Sequence, residues 1–164
     1  MDASAKMIEF TIPGKPYGKG RPRFTRNGRV YTPKKTAEYE ELVKLFYQQA
    51  AHGTILNAPI EATIFAQFEP PKSDSKAVRA QKLSGEIPPT IKPDCDNIAK
   101  TILDALNGIA YKDDSQITEL HVYKLYGAEA KVTVRLRKIS LWEKVTNWIT
   151  GKMQKNTPTR PPTA

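Results

Sequence analysis

One short segment constrains the fold of this chain more than any other. Lys92-Pro93-Asp94-Cys95-Asp96-Asn97-Ile98-Ala99-Lys100 is answered by Asp113-Asp114 a little further on. Between them runs a helical pattern, Ile98, Ile102, Leu103 and Leu106, with Asn107-Gly108 as its stop. Carboxylates crowded together repel one another, and a compact cluster is costly unless a cation lies between them. The chain carries a formal net charge of +9, so its overall balance does not call for acidic crowding. The economical expectation is a hard-metal site, Mg²⁺ with Mn²⁺ able to replace it, set in a surface that attracts phosphates.

The bulk of the chain narrows the field. At 164 residues, with 39% hydrophobic and 26% charged side chains, it fits one soluble domain with its own core. The basic excess points to a polyanion, nucleic acid ahead of an anionic membrane. No apolar run approaches the ~20 residues that span a bilayer, and Met1-Asp2-Ala3-Ser4-Ala5 lacks a signal-peptide core. Cys95 is the sole cysteine, which excludes an intramolecular disulfide; with only His52 and His121 beside it, a structural zinc site is not expected. The expected compartment is a reducing cytoplasm.

Strands and helices interleave. Met7 to Ile12 alternates, Ile8, Phe10 and Ile12 against Met7, Glu9 and Thr11, and reads as a strand. A glycine- and cation-rich loop or ribbon follows over Pro13 to Arg29. Thr32-Pro33 signals a helix start, threonine as N-cap and proline at the first helical position. That helix is expected to reach about Ala51, ended by Gly53, with Tyr39, Leu42, Val43, Phe46, Tyr47 and Ala50 on its core side. Ile60 to Phe68 reads as a strand, Ser73 to Leu83 as a short helix, and Gly85 to Pro93 as an extended, proline-rich lead into the acidic motif. Ser115 to Tyr126 and Ala130 to Lys138 read as two strands joined at Gly127-Ala128 into a hairpin. The expected class is α+β: a mixed sheet of about four strands, two main helices and a C-terminal helix.

Domain limits follow. Residues 1–139 form the main domain, and 140–153 an amphipathic helix carrying Leu141, Trp142, Val145, Trp148 and Ile149. Residues 154–164, proline-rich and without apolar periodicity, are expected to be disordered.

Asp94 and Asp96 stand two apart just before the helix, where an extended chain would point both the same way. Lys100 lies one helical turn beyond Asp96. A hairpin would fold Asp113-Asp114 back towards them. Three carboxylates leave positions on an octahedral Mg²⁺ for water and a phosphate oxygen, with Lys100 set to stabilise phosphate charge. Each piece also has a plainer reading: Asp-x-Asp as helix capping, Lys100 as a surface partner of Asp96 or Asp104, and Asp113-Asp114 as a turn. Order, spacing and basic surroundings favour a metal site that works on a nucleic-acid phosphate, the pattern of a nuclease. Cys95 is expected to be a small buried residue between outward carboxylates.

Lys15, Lys19, Arg21, Arg23, Arg26 and Arg29 crowd the glycine-rich loop with no acidic residue among them, and Tyr17 and Phe24 interleave. Such a segment can follow a phosphate backbone and stack on a base, the alternative being a solvated loop. Lys76, Arg79 and Lys82 are expected to add one basic side of the Ser73–Leu83 helix. No Gly-Lys-Ser/Thr ending is present, so no nucleotide cofactor is expected.

Taken together, Pro13-Gly14-Lys15, Gly18-Lys19-Gly20-Arg21-Pro22-Arg23, Gly28-Arg29-x-Tyr31-Thr32-Pro33, Lys92-Pro93-Asp94-x-Asp96-Asn97-x-x-Lys100 and Asp113-Asp114 resemble the RusA-type Holliday junction resolvases of bacteria and their phages. The resemblance runs in order from about Met7 to Lys138. It implies a small α+β homodimer that cuts branched, four-way DNA by Mg²⁺-dependent hydrolysis with paired symmetric nicks. By motif position it implies Asp94, Asp96 and Asp114 as the catalytic, metal-binding carboxylates and Lys100 as the essential lysine, with Asp113 the weaker member of its pair. Two other readings stay open: a less selective fork or flap endonuclease, and a nucleic-acid-binding module whose acidic cluster holds a structural ion.

Overall fold

In the computed structural model, which describes residues 7–20, 23–24, 27, 30–31 and 33–139, the apolar segments gather into a four-stranded mixed sheet backed by helices. The α+β class expected from the sequence is the one observed. Strand β1 (Met7–Pro13) alternates as its sequence does, Ile8, Phe10 and Ile12 buried between exposed neighbours. The two-residue strands β2 (Arg23–Phe24) and β3 (Val30–Tyr31) pair antiparallel as a separate ribbon. Helix α1 (Lys34–Ala51), strand β4 (Ile60–Phe68), helix α2 (Lys76–Ser84) and helix α3 (Cys95–Leu106) follow. A 3-10 turn (Asp114–Gln116) then leads into β5 (Ile117–Tyr126) and β6 (Lys131–Lys138).

The sheet order is β1-β6-β4-β5, with β6 antiparallel to both β1 and β4 and β5 parallel to β4. The hairpin expected from β5 and β6 is therefore absent: β4 lies between them. Two strand spacings come to about 10 Å, and the four residues from Gly127 to Ala130 cross that gap over the end of β4. Gly127 N–H donates to Phe68 O at 2.9 Å, and Gln67 Nε2 donates to Glu129 O at 2.8 Å, pinning the crossing. Strand β4 takes the central place because it is buried almost throughout, Thr63, Phe65 and Gln67 as well as the apolar face.

One core unites α1, α3 and the sheet: Tyr39, Val43 and Tyr47 meet Ile98, Ile102 and Leu106 over Ile12, Ile64 and Val134. The buried stripe of α1 is Thr36, Tyr39, Val43, Tyr47 and Ala51, spaced by three and four. Ala51, not Ala50, closes it, and Leu42 is 41% exposed. The helix also begins later than its sequence suggests. Pro33 is the N-cap, extended at ψ 139°, and its carbonyl accepts from Thr36 N–H and Ala37 N–H. The helix stops at His52 in the left-handed region (φ 48°), one residue before Gly53. Helix α2 starts at Lys76 rather than Ser73, because Ser75 caps it by accepting from Val78 N–H. The helix expected over residues 140–153 and the tail over 154–164 lie outside the described residues. Among the described residues, no helix is long and apolar enough to cross a membrane.

Candidate active site

The acidic motif sits on the end of α3. Asp94 is the N-cap, with extended backbone, and Asp96 belongs to the first helical turn, so the two are not alternate residues of an extended strand. Helix formation starts at Cys95 because Ile98 N–H already bonds Asp94 O at 3.0 Å. Six side chains, Ile98, Ala99, Thr101, Ile102, Ala105 and Leu106, bury the opposite side of the helix. That burial turns Asp96 and Lys100 outward as exposed side chains, one turn apart. Cys95, expected to be buried, is exposed: the buried stripe begins only at Ile98, so a residue at the first helical position clears the core.

Asp94 makes no side-chain cap hydrogen bond, although a carboxylate at that position could accept from the first turn. Among the described residues the side chains of Asp96, Lys100 and Asp114 likewise take no part in a hydrogen bond or ion pair. Their neighbours behave differently. Asp113 caps the 3-10 turn, its Oδ1 accepting from Ser115 N–H at 2.9 Å, while Gln116 reaches back to the Asp113 N–H to complete a capping box. These bonds from Ser115 hold the Asp113 carboxyl below its usual range. Of the twin aspartates one is thus committed to local structure and Asp114 is left over.

Asp114 comes up beside the second half of α3. Tyr111, buried there, donates its hydroxyl to Leu103 O at 2.8 Å. Burial first, then the negative charges of Asp114 and Asp104, push the Tyr111 hydroxyl pKa well above the ordinary tyrosine value. The donor set suits a hard cation: exposed carboxylate oxygens without protein partners. Yet among the described residues no three of His, Cys, Asp and Glu stand together as a closed metal cluster. The structure places Asp94 and Asp96 at one end of α3 and Asp114 along it.

The glycine-rich loop lies across the start of α3. Gly18 packs so tightly that a Cβ would meet Asn97 Nδ2 at 2.6 Å and Pro93 Cβ at 2.7 Å. Lys19 N–H donates to Asn97 O at 3.3 Å, and Gly20 N–H to the buried Thr36 Oγ1 at 3.2 Å. Pro16, Tyr17, Gly18, Lys92, Pro93, Asp94 and Asn97 line an open cleft of about 470 Å³ at this junction. Asn97 and Lys92 were not singled out from the sequence, although both lie inside the motif that was.

The basic residues divide. Lys15 and Lys76 are exposed. Lys82 instead pairs with Asp74 at 2.7 Å and lies 5.0 Å from the Tyr126 ring centroid, while Arg79 Nη1 donates to Pro70 O at 3.4 Å. Lys19 is held between Glu40 and Asp104. The side chains of Arg21, Arg23, Arg26 and Arg29 lie outside what the structure describes. Asp104, two turns beyond Asp96, could have been found from its spacing; Glu40, on another helix, could not.

A family model described as Endodeoxyribonuclease RusA matches residues 13–137. The chain is also 39% identical over 138 residues to the uncharacterized protein YqaN of Bacillus subtilis (strain 168), a match that takes in 81% of this chain and 97% of that protein.

Proposed function

The chain belongs to the RusA endodeoxyribonuclease family, and we propose that it is a divalent-metal-dependent endonuclease that resolves four-way DNA junctions by paired symmetric nicks. The observation that carries this reading is the set of side chains left without partners: Asp94, Asp96, Lys100 and Asp114, all exposed, within the family-matched segment. Free carboxylates beside committed ones are what a protein keeps when they serve something other than its own stability.

Asp94, Asp96 and Asp114 are the residues that would hold Mg²⁺, or Mn²⁺ in its place. Such an ion polarises a phosphoryl oxygen and makes bound water a nucleophile at neutral pH. Lys100 offers an exposed ammonium to the charge that builds on the phosphate. Asp94 and Asp96 sit at the positive end of α3, where the unpaired backbone N–H groups of the first turn also face an anionic phosphate. Lys15, Lys76 and Lys92 supply exposed cations for the DNA backbone, joined in this reading by Arg21, Arg23, Arg26 and Arg29. A four-way junction presents two equivalent strands, and each chain carries one acidic motif, so paired incision calls for a homodimer. The setting is the cytoplasm, where branched DNA is met.

The deciding experiment is cleavage of four-way, forked and linear DNA of matched sequence, side by side, with and without Mg²⁺. Paired nicks on the four-way substrate, dependent on the metal, are expected. Equal cutting of forked DNA would shift the assignment to a less selective nuclease, and binding without cutting to a non-catalytic module.

A further inference from the structure

We propose that Lys19 is a positioning residue, which fixes helix α3 and its acidic motif in place, and not one of the cations that grip DNA. The proposal rests on the endonuclease reading and extends it to a residue that the sequence pattern assigns to the DNA backbone.

The geometry of Lys19 differs from that of a free loop cation. Its Nζ lies 2.8 Å from Glu40 Oε1 and 2.6 Å from Asp104 Oδ2, so one ammonium ties α1 to α3. The three side chains are only 25%, 19% and 32% exposed. Glu40 Oε1 is buried and receives no well-directed hydrogen bond, which leaves the Lys19 charge as its compensation. Burial acts to lower the Lys19 pKa, but the hydrogen bond to Asp104 and the close negative charges of Asp104 and Glu40 outweigh it and raise the pKa above the usual lysine value.

The backbone around Lys19 is fastened to the same two helices. Its own N–H holds Asn97 O, between Asp96 and Lys100, and the next residue holds Thr36 on α1. Gly18 has no room for a side chain against Asn97 and Pro93, and Gly20 none against Thr36 Oγ1, 2.7 Å from its would-be Cβ. The segment from Gly18 to Gly20 is therefore a strap over the motif, with Lys19 as its electrostatic bolt. A DNA phosphate could recruit this ammonium only by stripping it from two partly buried carboxylates, which would then face each other unpaired.

The strap sets where the first turn of α3 stands relative to α1. Asp104 shares the exposed side of α3 with Lys100 and Asp96, spaced by four residues each time, so a pull on Asp104 acts along the row that carries the chemistry. Loss of Lys19 would leave Glu40 and Asp104 repelling across the helix interface and let the row shift.

The test uses full-length Lys19→Met, Lys19→Arg and Asp104→Asn with four-way DNA and Mg²⁺, at temperatures well below unfolding. Lys19→Met is expected to lower kcat at least about tenfold, since a displacement near 1 Å already costs about a hundredfold. KM and the salt dependence of DNA binding should stay at wild-type values. Asp104→Asn should move kcat in the same direction, and Lys19→Arg should restore most of it. Hydrogen exchange gives a readout free of activity: in Lys19→Met, protection at Ile98 to Lys100 should fall at least about tenfold while β4 keeps its own. A rise in KM with a salt slope lowered by about one, at unchanged kcat, would mark Lys19 as a phosphate ligand and overturn the proposal. Unchanged kinetics throughout would overturn it as well. If the wild-type chain cuts none of the DNAs, the endonuclease reading fails by itself; exchange then decides Lys19, and unaltered protection counts against it.

Discussion

Helices α2 and α3 are neighbours in the chain and opposites in how they are held. Helix α2 has no buried residue. It is defined by its ends: Ser75 accepts from Val78 N–H at the start, and Gly85, at φ 88°, returns its N–H to Lys82 O and Gln81 O at the finish. Asp74 and Lys82 add a pair, which lifts the Lys82 pKa. Helix α3 buries six side chains and leaves its N-cap aspartate without a hydrogen bond. The difference is instructive. A helix with no buried side chain leans on its capping groups, whereas one anchored by burial can release them. The carboxylates of α3 are free for chemistry because Ile98, Ile102 and Leu106 do the holding.

This contrast can be broken from either side. The largest effect expected is on the anchor: Ile102→Ala should cost about 2–5 kcal/mol of global stability by chemical denaturation, the range for a large-to-small change in a closed core. A loss below about 1 kcal/mol would mean that α3 is held by something other than burial. Next come the released groups. Asp94→Asn, Asp96→Asn and Asp114→Asn should each reduce Mg²⁺-dependent cleavage about a hundredfold or more, from the several kcal/mol that a metal's charge supplies at about 1.4 kcal/mol per tenfold. Their melting temperatures should hold, because none of these side chains takes part in the described hydrogen bonding. A coupled drop in stability and rate would return them to a structural role.

Ser75→Ala should cost about 1 kcal/mol, read as faster amide exchange confined to α2, with cleavage chemistry unaltered. Equal fraying of α3 in that variant would erase the distinction between the helices. The smallest effect concerns acid. The Asp113 carboxyl is held below its ordinary value of 3.8 by the Ser115 hydroxyl and N–H. Its contribution is thus present above the unfolded-state value and is lost as pH falls through the lower folded one. Asp113→Ala should weaken the turn before β5 at neutral pH and flatten its pH dependence below about pH 4. An unchanged acid profile by hydrogen exchange at Gln116 would show that the capping box does not depend on the charge.

Much of this was readable from residues alone. The alternation of Met7 to Ile12, the Asn107-Gly108 stop and the apolar run of Ile60 to Phe68 describe elements whose formation depends on their own period. The errors lie where a neighbour decides. The β5–β6 connection looks like a hairpin because its turn is short, yet β4, buried on both faces, inserts between the two strands. Cys95 looks buried by type and is exposed because it stands at the first helical position, short of the core. Leu42 reads as core on α1, but the stripe that meets α3 passes beside it.

The same division runs through the site. The sequence by itself determined which residues are candidates for the chemistry: Asp94, Asp96 and Lys100 fall together at the start of one helix, where the 3.6-residue period sets their spacing, and Asp114 follows in the turn after it. It also determined the α+β class, which rests on periodicity. Tertiary structure alone decided which charges are free. Lys19 is a loop cation in the sequence and becomes an internal bolt only when Glu40, 21 positions on, and Asp104, 85 positions on, meet around it. Local period has no bearing on such meetings; they come from the burial of two helices against one sheet, which sets charges from distant parts of the chain within ion-pair distance.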